Sequence, residues 1–453
     1  MATKKNIKKK HTLLDNPDKL KNLVKEVQDL YLKDKTPWVI GYSGGKDSSA
    51  TLQLIYQALK GIPKEKLVKD VWVVSSDTMV EIPSVVERVD DTLGKLDKAA
   101  KEDGLPIKVQ VVEPEIDKTF FVNIIGRGYP APTRNFRWCT ERMKIQPVSK
   151  MIEEQVESYG KTIVILGSRK AESMSRAQSL ANHTIKGTIL KKHSTLINAF
   201  VYTPIEDWTT DDVWLFLMQF PSPWGDDNNS LVTLYRKAGG DECPLVIDTT
   251  TPSCGNSRFG CWTCTVVEQD KSIHGFIDSG ETWLEPMAEF RDMLKAYREE
   301  REKRRVPLKG RKGGYGPFTA ATRMELLEEL LKVEKQVKER YKRKLIQSEE
   351  LFAIQKIWDS SEYGKGFTKT VAEIYKNVYN VELIGNWSEI EVSTEDCEEE
   401  LTLADICKET GVNSDLIKRL MFIENDLTKM RRRRGVYERI DEEIKRDIEQ
   451  ISA

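Results

Sequence analysis

The fold class predicted by this sequence is α/β: a doubly wound, mostly parallel sheet with a cysteine-rich insert and a helical C-terminal annex. Three observations predict it. Between Trp38 and about Trp214, short apolar runs alternate with longer segments whose apolar residues recur at helical spacing. The first of those runs ends in a glycine turn, Ser43-Gly44-Gly45-Lys46-Asp47-Ser48, that opens a helix. Composition then shifts near residue 215 to Pro, Gly, Asp, Asn and Cys, and near residue 283 to long charged segments.

Taken in order, Trp38-Val39-Ile40 is a short strand closed by Gly41-Tyr42, and Ala50 to Leu59 carries the helix behind the turn. Val71-Trp72-Val73-Val74 is a second strand, ending at Ser75-Ser76-Asp77-Thr78. Pro83 opens an amphipathic helix to about Glu102, Ile107 to Val112 alternates as a strand, and Ile145 to Tyr159 reads as helix. Ile163-Val164-Ile165-Leu166 is a buried strand ending in Gly167-Ser168-Arg169. Such alternation implies helices on both faces of a parallel sheet, with ligands beyond the carboxyl ends of the strands. The expected divisions are a basic tail and leading helix over 1–30, a nucleotide domain over 31–220, a cysteine-rich segment over 221–285 and a charged helical region over 286–453. Helices are expected from Trp283 to Leu308, over 320–346 and over 398–450.

Of 453 residues, 71 are basic and 72 acidic, so net charge names no partner and a polyanion must be met by local clusters. No apolar run approaches the ~18 residues that span a bilayer, so no membrane partner is expected. Lys4-Lys5 and Lys8-Lys9-Lys10 have no apolar stretch behind them and read as a solvated tail rather than a signal peptide. Seven cysteines, an odd number unevenly spread, argue against a disulfide framework. The expected setting is a reducing cytoplasm, where clustered thiols serve metals or sulfur chemistry.

The turn at 43–48 carries the most chemistry. A strand, glycine turn and helix in succession aim several backbone N–H groups and the positive end of a helix dipole at one spot, which is an anion site. Ser43 and Ser48 add hydroxyls and Lys46 a positive charge, whereas Asp47 fits only if it holds a hydroxyl or a metal-bound water. A Walker A loop needs Gly, four residues and Gly-Lys-Ser/Thr; here Ile40 stands at the first glycine and Asp47 follows Lys46, so that reading fails. The stretch resembles instead the PP-loop of the ATP pyrophosphatases, which grip the β,γ-diphosphate and cleave ATP between its α- and β-phosphates. An ordinary glycine turn is the plain alternative.

Other clusters point the same way. Asp77, at the end of the second strand and followed by Thr78 and Glu81, can take a ribose hydroxyl or a metal-bound water, or simply shape a turn. Gly167, Ser168, Arg169, Lys170, Glu172, Ser173 and Arg176 follow the fourth strand and offer cations and hydroxyls to a departing phosphate. Cys139 lies among Arg134, Arg137, Arg142 and Lys144, cations that stabilise a thiolate. Cys243, Cys254, Cys261 and Cys264, spaced C-x10-C-x6-C-x2-C in a loop-rich segment, suit zinc or an iron–sulfur cluster, and spacing does not choose between them. Cys397 and Cys407 read as structural, and no histidine sits at ligand spacing. Arg298, Arg301, Lys303, Arg304, Arg305, Lys309, Arg311 and Lys312 form a basic strip that suits either a nucleic-acid backbone or a solvated face, and Arg431–Arg434 is a shorter one.

Together these residues resemble the phosphoadenosine-phosphosulfate reductase family of the adenine-nucleotide α-hydrolases, from about Trp38 to Trp214. The likeness also includes Arg137-Trp138-Cys139-Thr140, Thr203-Pro204-Ile205-Glu206-Asp207-Trp208 and Asp212-Val213-Trp214. Within the family, the run Val39–Ser49, the four-cysteine insert and the charged C-terminal third are most similar to the sulfurtransferases of bacterial DNA phosphorothioation. That resemblance implies ATP with Mg2+ as ligand, cradled by Ser43, Gly44, Gly45, Lys46, Asp47, Ser48, Asp77, Gly167, Arg169 and Arg176. It implies Lys46, Asp47 and Cys139 as catalytic groups, and a 4Fe–4S cluster on Cys243, Cys254, Cys261 and Cys264. The implied partners are DNA, a cysteine desulfurase that hands sulfur to Cys139, an ATPase and a small DNA-associated subunit. Sulfonucleotide reductases end in Glu-Cys-Gly; here Glu242-Cys243 is followed by Pro244 and no cysteine lies after Cys407, which displaces that activity from first choice. Thiolation of tRNA and a nucleotide-sensing DNA-binding module are the remaining alternatives.

Overall fold

The computed structural model describes residues 17–134, 136–238, 260–305, 314–360, 366–385, 390–393 and 397–413, with a few isolated positions beyond. The tail over 1–16, Cys243, Cys254, Lys309, Arg311, Lys312 and the run 431–434 lie outside the described residues. The chain forms two compact units: Met1–Glu113, Lys144–Trp262 and Asp270–Leu284 make one, and Pro114–Met143, Thr263–Gln269 and Glu285–Ala453 the other. The segments 114–143 and 263–269, expected in the nucleotide domain and the cysteine-rich segment, therefore cluster with the helical region.

In the first unit, α1 (Pro17–Leu32), β1 (Trp38–Gly41), α2 (Lys46–Lys60), β2 (Val71–Ser76), α3 (Pro83–Asp103) and β3 (Ile107–Val112) follow one another. Further along come α4 (Gln146–Tyr159), β4 (Thr162–Ile165), α5 (Met174–Asn182), β5 (Lys191–Lys192) and β6 (Ala199–Tyr202). The unit ends with α6 (Thr210–Gln219), α7 (Asn228–Lys237) and α8 (Lys271–Asp278). Strand order is β3-β2-β1-β4-β6-β5, parallel throughout except for the β5–β6 pair. The register sets Val39 beside Trp72 and Val164, and Ile40 beside Val73 and Ile165.

Alternate strand residues face opposite sides, and both sides are covered. Val39, Val74, Val112 and Val164 pack with Met151 and Ile152 of α4. On the other side Trp38 meets Tyr31 of α1 edge-on at 5.2 Å. Ala50 and Leu54 of α2 pack with Val213, Trp214 and Leu217 of α6 and Leu231 of α7. The doubly wound sheet is as expected. The strands β5 and β6 and the helices α5, α6, α7 and α8 are additions. β5 and β6, of two and four residues, are too short to show a period, and α7 and α8 lie inside the stretch read as loop-rich. Both helices carry an N-terminal aspartate cap, Asp227 accepting from the Asn229 amide and Asp270 from those of Ser272 and Ile273.

The second unit is helical, with α9 (Glu285–Glu299), α10 (Ala320–Val337), α11 (Ser348–Asp359), α12 (Val371–Tyr379) and α13 (Cys397–Thr410). α9 is shorter than the span expected to Leu308. Beyond it the buried Arg304 side chain donates to the carbonyls of Gly316, Tyr315 and Arg298, which draws the chain back on itself. α10 also stops early. Glu334 accepts the amides of Leu345 (2.6 Å) and Ile346 (3.1 Å), tying the reversed chain to the helix it has just left.

Candidate nucleotide site

β2 and β3 lie on one side of β1, and β4 enters on the other, so the winding reverses between β1 and β4. Loops leaving those two strands diverge and open a crevice beyond their carboxyl ends. A cavity of about 800 Å³ occupies it, inside the ~300–1,000 Å³ range of small-molecule pockets. Ser43, Gly45, Lys46, Asp47 and Ser48 line it from the β1 loop, and Gly167, Ser168, Arg169, Glu172 and Arg176 from the β4 loop. Val39, Val74, Val148, Val164 and Leu166 supply an apolar wall suited to a flat ring.

The turn is glycine-built for physical reasons. Gly44 has φ +70°, and a Cβ there would stand 2.5 Å from Val89 Cγ2, so both conformation and space exclude a side chain. A Cβ on Gly167 would lie 2.7 Å from the Asp47 carbonyl oxygen; its absence lets the β4 loop pack against the first turn of α2. α2 begins at Gly45 with no side-chain cap, and the first N–H groups of a helix have no intrahelical acceptor. Ser43 N–H donates to Ser48 Oγ, and the two hydroxyls lie 3.2 Å apart. Lys46 is 6% exposed, with Nζ 3.6 Å from Asp47 Oδ2. Amides, hydroxyls and an ammonium thus converge on one end of the cavity.

Two expected phosphate or metal ligands are engaged with each other. Arg169, 2% exposed, donates from Nε to Asp47 Oδ1 at 2.6 Å and from Nη1 to the Trp208 carbonyl at 3.3 Å. Asp47 therefore braces the β4 loop onto α2, and Arg169 holds the turn as well as lining the cavity. Arg176 is half-exposed and pairs with Glu172 at 3.7 Å.

Asp77 is not among the residues that line the cavity. Its N–H donates to the Val112 carbonyl, and Oδ1 accepts the Met79 amide at 2.8 Å, the local turn that was the plainer reading. From the segment after β2, the acid that lines the cavity is Glu81. Burial pushes its carboxyl above the ordinary range, Lys144 at 3.6 Å pulls it back, and the charge of Asp77 adds to the rise. Residues 80–81 are stitched to the cysteine segment, because Glu81 bridges Cys261 antiparallel and Trp262 N–H donates to the Val80 carbonyl. The Cys261 thiol lies 3.5 Å from the Thr78 hydroxyl, and the neighbouring Gly260 lines the cavity.

Of the four cysteines expected as metal ligands, Cys261 and Cys264 fall among the described residues, each a reduced, partly exposed thiol. Among the described residues no group of three or more His, Cys, Asp or Glu is placed to hold a metal. Cys139 is also a partly exposed, reduced cysteine, on the helical turn Trp138–Thr140. Of its four cationic sequence neighbours, Arg142 is buried against Asn123, the Tyr129 hydroxyl and Glu400, and Lys144 pairs with Glu81. Arg134 and Arg137 are exposed. In the basic strip, Arg298 donates to the Pro132 and Thr265 carbonyls, Lys303 pairs with Glu325, and Arg304 is buried, so these three serve their own unit.

Thr209, Thr210 and Asp211 also line the cavity without having been anticipated, and so does one residue from a more distant helix. Tyr235 of α7 lines the cavity, accepts the Lys46 amide at 3.2 Å and places its ring 5.0 Å from Lys46 Nζ. Leu231, Val232 and Tyr235 share helical spacing behind the Asp227 cap, and that was the signal available.

Residues 37–267, about half of the chain, match the phosphoadenosine phosphosulfate reductase domain, and the chain belongs to that family. An uncharacterized protein of Methanocaldococcus jannaschii is 29% identical over 281 residues, 61% of this chain and 46% of that protein. The match thus spans under half the length of this curated relative. Among solved structures, phosphoadenylyl-sulfate reductase from Candida auris in a phosphate complex is 13% identical, covering 48% of this chain and 91% of that one, with a TM-score of 0.30. The U34-tRNA thiolase of Methanococcus maripaludis with its 4Fe–4S cluster is 17% identical, covering 50% and 73%, with a TM-score of 0.29. Among the described residues no helix is long and apolar enough to cross a membrane.

Proposed function

We propose that the chain is an ATP-dependent sulfurtransferase that adenylates a phosphate of the DNA backbone and then replaces a non-bridging oxygen with sulfur. This is the reaction of DndC, which the chain resembles in its PP-loop run, its cysteine insert and its charged C-terminal third. The observation that carries the reading is the Ser43–Ser48 turn, at the N-terminus of α2 and facing the cavity at the reversal between β1 and β4. A triphosphate is the ligand such a convergence of amides, hydroxyls and one buried ammonium suits.

ATP enters with its magnesium, its β,γ-phosphates on the turn and its base against the apolar wall. A non-bridging oxygen of the DNA phosphate attacks the α-phosphorus and pyrophosphate leaves. Lys46 and the first-turn amides stabilise the charge that develops on the departing group, while the Asp47–Arg169 pair keeps the turn in shape. The DNA phosphate is now an anhydride with AMP. The terminal sulfur of a persulfide on Cys139, supplied by a cysteine desulfurase, attacks the DNA phosphorus and expels AMP. A thiol reductant then provides two electrons to cleave the remaining S–S bond, leaving a phosphorothioate and the free thiol. Cys243, Cys254, Cys261 and Cys264 would hold a 4Fe–4S cluster, which supplies electron-transfer or sulfide chemistry when bound.

Incubation of the intact protein with ATP and DNA should yield AMP and pyrophosphate, and nuclease-digested DNA from cells carrying the gene should contain phosphorothioate dinucleotides by mass spectrometry. ADP and orthophosphate as the products would remove the activation step. AMP production with unmodified DNA would move the acceptor to another nucleic acid.

A further inference from the structure

Building on the assignment of residues 43–48 as the phosphate seat, we propose that Tyr235 is the group a phosphate must displace from it, and so sets how strong an anion the seat accepts. The Lys46 amide is the first N–H of α2, a donor that an anion at a helix N-terminus uses. In the structure it donates to the Tyr235 hydroxyl at 3.2 Å. The same hydroxyl presses against the turn, since a Cβ built on Gly45 would come within 3.2 Å of it. The tyrosine ring lies 5.0 Å from Lys46 Nζ, so one side chain engages both the amide and the ammonium.

Tyr235 is held there by packing. It is 4% exposed, meets Trp214 edge-on at 5.2 Å, and belongs to the cluster of Val213, Leu217 and Leu231. One N–H serves one strong acceptor. A charged phosphate oxygen is the better acceptor, but it takes the amide only after the phenol has withdrawn. A diphosphate that also reaches Ser43, Ser48 and Lys46 Nζ gains enough contacts to displace the tyrosine, whereas an anion with a single contact gains less. The threshold therefore favours polyphosphates over small anions.

The test is calorimetric titration of the full chain and of Tyr235→Phe, which keeps the ring and its contact with Trp214 but removes the hydroxyl. Inorganic pyrophosphate should bind Tyr235→Phe about fivefold more tightly, the equivalent of one neutral hydrogen bond. Adenosine, which has no phosphate, should bind both proteins alike. Unchanged or weaker pyrophosphate binding by Tyr235→Phe overturns the proposal. Should that variant not fold, a crystal structure of the wild-type protein with pyrophosphate decides: the Lys46 amide on a phosphate oxygen supports displacement, and the amide still on Tyr235 refutes it. If neither protein binds pyrophosphate, the seat and its lock fall together. If Tyr235→Phe binds more tightly yet neither protein forms AMP from ATP, the lock stands and the activation chemistry falls.

Discussion

The loops after β1 and β2 leave neighbouring parallel strands in the same direction, and each has serine and aspartate close to the strand end, Ser43 and Asp47 after β1 and Ser76 and Asp77 after β2. They do different things. After β1 the backbone turns through Gly44 at φ +70° and presents amides, hydroxyls and Lys46 to the cavity. After β2 the aspartate closes on its own chain, with Asp77 Oδ1 on the Met79 amide, and only Glu81, four residues later, reaches the cavity. A polar residue at a strand end is thus no site in itself. What separates the two loops is the reversal of winding, which lies beside β1 and not beside β2.

That contrast can be broken by substitution. The largest effect is expected at Lys46→Ala, which removes the buried ammonium from the β1 loop. Pyrophosphate release should fall by roughly 10²–10³-fold, the usual loss for one charge-stabilising donor, and a rate within a few-fold of wild type would remove Lys46 from the chemistry. Next comes Arg169→Ala, which leaves Asp47 without its 2.6 Å partner. Losing one member of a buried pair costs about 3–5 kcal/mol, and the partial exposure of Asp47 lowers the expectation to about 2 kcal/mol in urea unfolding.

In the β2 loop the effects are smaller and depend on pH. Glu81 is favoured in its protonated form by burial, so its folded pKa lies above the ordinary value of 4.5. Its contribution to stability is complete below that value and is lost as pH rises through the raised folded pKa. Glu81→Gln should flatten the melting temperature across that window, and a profile parallel to wild type would place the carboxyl in water. The smallest effect is expected at Asp77→Asn. Its amide oxygen can still accept from Met79, so stability should change by only about 0.5 kcal/mol or less, with pyrophosphate release unaltered. A large kinetic loss there would restore Asp77 to the site.

Much of the fold was legible because its signals are local. Val39, Ile40, Val73, Val164 and Ile165 form short, β-branched apolar runs bounded by turn residues, the pattern of buried strands, and the helices between them repeat at the right period. The glycine turn was legible for the same reason, since residues 43–48 are contiguous. Glu81 and Tyr235 were harder. Glu81 lies behind a more conspicuous aspartate, and Tyr235 reaches Lys46 across 189 positions of sequence. The partners of Arg142, Arg298 and Arg304 were equally hidden. Clustered arginines look alike on paper whether they face a ligand or fill the carbonyls of a neighbouring loop.

By itself the sequence determined the alternation of strand and helix, the anion-seeking turn and the thiol-rich insert, because periodicity and backbone chemistry act over a few residues. Only the tertiary structure decided that Asp47 braces Arg169, that Glu81 rather than Asp77 lines the cavity, and that Tyr235 sits on the seat. Those outcomes depend on which distant side chains packing brings within hydrogen-bond reach, and no local pattern encodes such distances.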